Sequence, residues 1–350
     1  MIDKKYSQVL RSLRHRNFRL FFSGQIISLT GTWMQSIAQA WLVYRLTDSA
    51  FLLGLAGFLG QIPVFLFAAF GGALADRADR RRILVATQAV SMLLAGTLAW
   101  LTLTERVEVW QILVLAALLG VVNAFDIPTR QSFIVDMVGR DDLMNAIALN
   151  SSMFNAARIV GPAVAGALVV VVGEGWCFFV NAVSYIAVIA SLAVIRTPAK
   201  AKRPIAGSMF SSIAEGLSFV ERTAPIRALL LLLGLVSLVG MPYAVLMPIF
   251  ADRILQGGAS ELGLLMSASG VGALCGALIL AARQGLRGLG AWVVYSCAAF
   301  GAGLIFFASS RTLWLSAALL VPIGLFVMIQ MASSNTLIQS MTPDHLRGRV

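Results

Sequence analysis

Long apolar runs separated by short polar breaks set the pattern of this chain. Ten runs reach the length a helix needs to cross a bilayer, about 20 residues. They are 20–45, 51–75, 83–104, 109–127, 146–172, 176–195, 227–250, 261–282, 289–309 and 312–334. The apolar residues are continuous within each run, not alternating, which excludes a strand barrel. The longest polar stretch, 196–226, begins with prolines and basic residues, and Phe210 to Val220 within it has the pattern of a short amphipathic surface helix. The expected architecture is an all-α polytopic membrane protein. It has a six-helix bundle over 1–195, a linker over 196–226 and an incomplete four-helix bundle over 227–350.

Composition supports this and excludes other classes. The 350 residues are 59% hydrophobic and 12% charged, against about a quarter charged in soluble domains, and the mean hydropathy is +0.85. The net charge of +11 does not point to nucleic acid, because the basic residues are spread over the breaks between apolar runs. Cys177, Cys275 and Cys297 all lie in apolar runs without CxxC spacing, so neither a disulfide framework nor a metal site is expected. No HExxH, nucleophile elbow, P-loop or paired intramembrane acid occurs, and His15 and His345 read as isolated. An enzyme, a resident cofactor and ATP-driven transport by this chain alone are therefore not expected.

Lysines and arginines decide orientation. With the N-terminus in the cytoplasm, 22 of the 27 fall on the inner side, and Arg45, Arg106, Arg253 and Arg311 fall outside. Arg158 remains within a span. A weak repeat relates the halves. Gly72-Ala73-Leu74 matches Gly276-Ala277-Leu278, and Asp136-Met137-Val138 matches Ser340-Met341-Thr342, at nearly the same offset. Two parallel six-helix halves would fit, so the repeat predicts two further helices beyond Val350.

Residues 71–84 read GGALADRADRRRIL and form the inner break between the second and third runs. They resemble the loop signature of the major facilitator superfamily, G-x-L-a-D-r-x-G-r-k-x-x-l, with Gly72, Leu74, Asp76, Arg77, Arg80, Arg81 and Leu84 on its positions. Asp79 replaces the second glycine, which puts the tight turn in question. The physics of the motif is close helix approach at Gly72, hydrogen bonds to Asp76 from Arg80 or from a helix N-terminus, and arginines at the inner leaflet. The resemblance implies a loop that latches the halves in one access state; a plain topology anchor is the alternative. Asp126, followed by Pro128 and Arg130, reads as the inner end of the fourth helix, placed to share Arg77 or Arg80 with Asp76 or simply to face the surface.

In the fifth run, Gly161, Pro162 and Gly166 resemble the antiporter signature G-x-x-x-G-P-x-x-G-G, with Ala157 and Ala165 at two of its glycines. That motif implies efflux; an ordinary kinked helix is the other reading. Segments 13–47 and 123–162 narrow the resemblance to the bacterial exporter branch that includes enterobactin exporters and the transmembrane secretion effectors. It implies a major facilitator fold, two pseudo-symmetric bundles, and export of a small molecule across the inner membrane with protons as the coupling ion. Oligomeric state is left open, with a monomer expected. A transport-inactive sensor or binding protein of the same fold is the alternative.

Gln25, Ser28, Thr32, Gln35, Ser36 and Gln39 share one face of the first helix, and Ser151, Asn155 and Arg158 one face of the fifth. Polar stripes on spanning helices face a cavity or another helix rather than lipid. Both are read as lining a substrate cavity, with interhelical hydrogen bonding as the alternative. Gln330, Ser333 and Ser334 offer the same near the inner end of the tenth. Trp33 and Trp41 are placed for stacking or for packing. Arg158 lies near the middle of its span, where a charge costs at least about 2.5 kcal/mol. It reads as an anion-binding or coupling residue, or as a structural arginine satisfied by helix carbonyls or Asn155. No carboxylate falls mid-span, and Asp126 is the nearest. Coupling uses it, or is helped by Arg158, or takes another route.

Overall fold

The computed structural model describes residues 10–343, apart from 140, 196–217, 284 and 286. Among these residues there are ten long helices and no strand. In the first half α1 spans Arg16–Thr47, α2 Ala50–Arg77, α3 Arg80–Leu103, α4 Val109–Val138, α5 Leu143–Val172 and α6 Glu174–Val194. α7 is segmented. Ala224–Leu235 runs into a π-helical turn at Val236–Gly240, followed by Pro242–Val245, Met247–Ile249 and a second π turn at Phe250–Ile254. α8 is Ala259–Ala282, α9 Leu289–Ser309 and α10 Leu313–Met341.

Each predicted span lies on one of these helices. Nine of the ten helices are long and apolar enough to cross a membrane; the exception is α1, the carrier of the glutamine stripe. The helix ends depart from expectation, most of all in α4. It does not stop near Asp126 but continues through Pro128 to Val138. Polar residues after Asp126 do not terminate it, because Thr129, Arg130 and Asp136 find partners there. The expected surface helix at Phe210 to Val220 lies mostly outside the described residues; 218–222 are helical.

The chain forms two compact units. One gathers α1–α6 together with Val245–Ser267, the end of α7 and the start of α8. The other contains the earlier part of α7 and the chain from Ala268 onward. In the first unit α2 packs on α4, α1 on α5 and α6, and α3 on α6. The α2–α4 contact has a local cause. Pro128 has no N–H to donate to the Ala124 carbonyl, one turn back. That carbonyl lies against Gly71, where any Cβ would collide with it. The close approach expected of Gly72 is thus made by its neighbour, and a Cβ on Gly72 would meet no described atom within 4 Å. In the second unit, Gly272 and Gly324 bring α8 and α10 together in the same manner.

The core of the first unit is aromatic and aliphatic near the basic end, the end that holds the α2–α3 and α4–α5 turns. Phe18, Phe21, Leu84, Phe133, Met137 and Leu192 are buried there. Its outside is apolar as well: Phe51, Phe65 and Val171 are each at least three-quarters exposed. A surface of this kind is solvated by lipid, not water.

Candidate functional site

At the basic end the α2–α3 turn is built around Arg80. Its Nε donates to the Ala75 carbonyl at 3.0 Å and its Nη2 to Asp76 at 3.2 Å. Its Nη1 donates to the Ser132 carbonyl and to both oxygens of Asp136, at 3.1 and 2.9 Å. One guanidinium thus joins the end of α2, the start of α3 and the last turns of α4. Asp76 is half-exposed, while Asp136 is largely buried. Asp136 is the carboxylate that the sequence reading missed, having assigned its place to Asp126. The signal was available: a basic loop needs a counter-charge at the true end of α4, and Asp136 lies three residues before the Gly139 cap.

Asp79 resolves the doubt left by the missing glycine. It has φ −70° and caps α3, its Oδ1 accepting from the Arg81 and Arg82 amides. An N-cap carboxylate does the work of the turn without left-handed backbone. Arg81 donates to the Leu192 and Ala193 carbonyls, both at 2.6 Å, and so satisfies the last turn of α6. Arg77 and Leu74 are exposed.

Asp126 is not at a helix end. It lies ten residues before Asp136 on α4, about 15 Å along the axis at 1.5 Å per residue. It is 4% exposed. Its Oδ1 accepts from Thr87 at 2.8 Å and Gln88 at 2.9 Å, both on α3, and its Oδ2 lies 3.5 Å from Arg130 Nε. The expected network of Asp126 with Arg77 or Arg80 is replaced by this one. A carboxylate does occur within a span, because α4 is longer than its hydropathy suggested.

The α1 stripe is divided. Gln25, Ser28 and Gln35 are buried. Gln35 Oε1 accepts from Asn181 of α6 at 2.7 Å, which favours the interhelical alternative for this residue. Thr32 donates to the Ser28 carbonyl and lies 3.5 Å from the Tyr185 hydroxyl. Ser36 is exposed and Gln39 half-buried. The cause is the small-residue contact at Gly31, which draws α6 onto this face. Gln330, Ser333 and Ser334 of α10 are buried in their own unit.

On α5, Gly161 faces α1 and Gly166 faces α8. A Cβ on Gly161 would come within 2.5 Å of Trp33 Cβ, and one on Gly166 within 3.1 Å of Gly263. Pro162 and Ala165 are buried between these contacts. Pro162 also leaves the Arg158 carbonyl without its helical donor. The Arg158 guanidinium lies over the Trp33 ring, 5.7 Å from its centroid. Trp33 in turn meets Phe154 edge-on at 5.5 Å and 76°. Asn155 donates to the Ser151 carbonyl, so it is not the partner of Arg158.

Two further ion-pair clusters lie at the helix ends. Opposite the basic end, Tyr44 donates to Asp252 at 2.6 Å and Arg253 to Asp48 at 2.5 Å, tying α1 to the end of α7. The Arg253 hydrogen bond holds the Asp48 carboxyl below its ordinary value. At the basic end His15 meets Asp142 at 2.7 Å, with Arg11 on the same carboxylate. His15, read as isolated, is therefore part of a clip between the N-terminal 3-10 turn Arg11–Arg14 and the start of α5. His15 first, then Arg11, keeps the Asp142 carboxyl low.

Comparison with known proteins places this geometry. A family model described as transmembrane secretion effector matches residues 7–350. The staphyloferrin A transporter of Staphylococcus aureus is 25% identical over 338 residues, 95% of this chain and 83% of the relative. The multidrug efflux pump Tap of Mycolicibacterium fortuitum is 28% identical, over 91% of this chain and 80% of its own. An enterobactin exporter of Shigella boydii is 24% identical, over 96% and 80%. Among solved structures, an inward-facing bacterial homologue of the lysosomal transporter Spinster superposes with a TM-score of 0.69 at 16% identity. It covers 95% of this chain and 77% of its own. That likeness shows the fold, which is the one its residues 71–84 led us to expect.

Proposed function

Since the chain belongs to the transmembrane secretion effectors, a family of membrane transporters, we propose that it exports a small molecule across the bacterial inner membrane by alternating access, with its N-terminus in the cytoplasm. In this reading α1–α6 and the helices from α7 onward are the two rocking bodies, and protons moving inward drive the cycle. The observation that carries it is the tie opposite the basic end, where the Tyr44–Asp252 and Asp48–Arg253 contacts and the Gly166–Gly263 approach hold Val245–Ser267 on the first bundle. Two hydrogen-bonded pairs and one small-residue contact make a closure that can open and re-form. In this reading the Arg80 cluster, which ties α2, α3 and α4 within the first bundle, orders the cytoplasmic loop that serves as the latch at the other end. Asp126, buried within a span and bonded to Thr87, Gln88 and Arg130, is the carboxylate assigned to coupling in this reading.

The test compares spent media from cells without the protein and with the wild type, Asp76→Asn or Asp126→Asn. A compound should accumulate with the wild type and fall with either variant, by about tenfold or more for Asp126→Asn. A protonophore should abolish its release. Identical media with and without the protein would favour the transport-inactive binding protein. Release that survives the protonophore would remove proton coupling while leaving export.

A further inference from the structure

Among the described residues, the cation placed deepest within a helix is on α5. Arg158 sits close to the midpoint of Leu143–Val172, about 22 Å from either end at 1.5 Å per residue. The other guanidiniums of the first unit's helices have acidic or carbonyl partners where they are buried. Arg80 has Asp136 and Asp76, Arg130 has Asp126, and Arg81 has two carbonyls. Among the described residues Arg158 makes no ion pair; its contact is the face of Trp33. That face stabilises the charge but uses none of the five N–H donors, which remain free to bind.

We propose that Arg158 is the subsite for an anionic group of the exported molecule, and that Trp33 and Phe154 form the wall beside it for a flat apolar portion. This rests on the exporter reading and specifies its substrate as an organic anion. A guanidinium fork takes a carboxylate, sulfonate or phosphate bidentately. The aromatic pair is partly open: Phe154 is 41% exposed and Trp33 half-buried. The polar residues of α1 cannot substitute for Arg158, because Gln25 and Gln35 are turned into the bundle. Asp126 is enclosed by Thr87, Gln88 and Arg130 and offers no counter-charge to a cationic substrate. A lipid phosphate is the wrong source for the anion. Headgroups lie about 15 Å from the bilayer centre, beyond the reach of a side chain fixed on Trp33.

Two xanthene dyes of opposite charge, carboxyfluorescein and rhodamine 123, separate the possibilities in loaded cells. The wild type should expel the anionic dye several-fold faster than the cationic one. Arg158→Gln should lose about tenfold or more of that efflux, and Arg158→Lys, which keeps the charge without the fork, should retain part of it. Equal efflux of both dyes overturns the proposal. So does undiminished anion efflux by an Arg158→Gln protein present in the membrane at wild-type amounts. If that variant does not reach the membrane, or neither dye leaves, the spent-medium compounds that depend on the wild type decide. Anions at pH 7 support the subsite, and neutral or cationic compounds overturn it. If no dye or metabolite is exported in any arm, the exporter reading falls first and the subsite falls with it; exported compounds of the wrong charge sink the subsite alone.

Discussion

Adjacent residues in this chain carry opposite burdens, and Gly71 and Gly72 make the point. Gly71 backs onto the Ala124 carbonyl freed by Pro128, whereas Gly72 faces open space. Gly71→Ala should force α2 from α4 and cost about 1–3 kcal/mol, as overpacking does. Gly72→Ala should stay within about 0.5 kcal/mol. Thermal unfolding of the two purified variants in detergent checks both, and equal effects would refute the assignment. Arg80 and Arg77 form a second such pair. Arg80→Gln strands the largely buried Asp136 and should destabilise by about 1–3 kcal/mol. Arg77→Gln, at an exposed position, should stay within about 0.5 kcal/mol. The motif in the sequence identified this loop but not these differences, because Gly71 and Gly72 are the same letter. Which one meets α4 depends on helix phase, and phase is set by contacts far along the chain.

Helices as elements were legible from hydropathy, since a lipid-facing surface must be apolar for its whole span. Their ends were not. A proline and a run of polar residues suggested that α4 stops at Asp126, yet the helix continues because α3 supplies Thr87 and Gln88, and α2 supplies a glycine where the proline freed a carbonyl. Such compensation comes from other elements and leaves no trace in the local pattern. The same holds for α1, whose glutamines look like a cavity lining until Asn181 of α6 is seen to occupy Gln35. Between elements, the clip from the 3-10 turn to α5 has a definite pH response. Asp142 is depressed below its ordinary 3.8 by His15 and Arg11. Its contribution is therefore complete above that value and lost as the pH falls through the lower, folded one. The protection factor of the Ser12 amide, which donates to Asn145 Oδ1 at 2.9 Å, should be unchanged across about pH 5–8 once the intrinsic exchange rate is divided out. Protection should fail below 3.8. Asp142→Asn should lose the protection across the same range, and release near neutral pH in the wild type would show that the carboxylate is not the clip.

For the whole molecule, class and family were readable from composition, from the loop over 71–84 and from the α5 motif, because lipid solvation and close helix packing restrict both residue type and spacing. Hydropathy treats α7 as one span and carries no sign that its end joins the compact unit of α1–α6. The proposed alternating access makes a prediction at this scale. Cysteines replacing Asp48 and Arg253, whose long side chains meet at 2.5 Å in the wild type, should stop export when bridged by a bis-methanethiosulfonate reagent that spans the distance those side chains filled. Reductant should restore it. Full export by the bridged form would show that α1 and the end of α7 do not separate in the cycle.

α7 changes allegiance between Ala244 and Val245, and a π-helical turn lies on each side of that point, at Val236–Gly240 and Phe250–Ile254. Each π turn holds one more residue than an α-helical turn would, about 1.5 Å of stored length. Mechanically this is slack in a covalent connection. A rod of uniform pitch joining two bodies would transmit every displacement of one to the other and load its own hydrogen bonds in doing so. A rod with spare length at both ends of the junction can take up a small displacement by passing a residue through a turn. In the proposed cycle the firm points of attachment can then be few, and the wear of repeated motion falls on backbone that is already irregular.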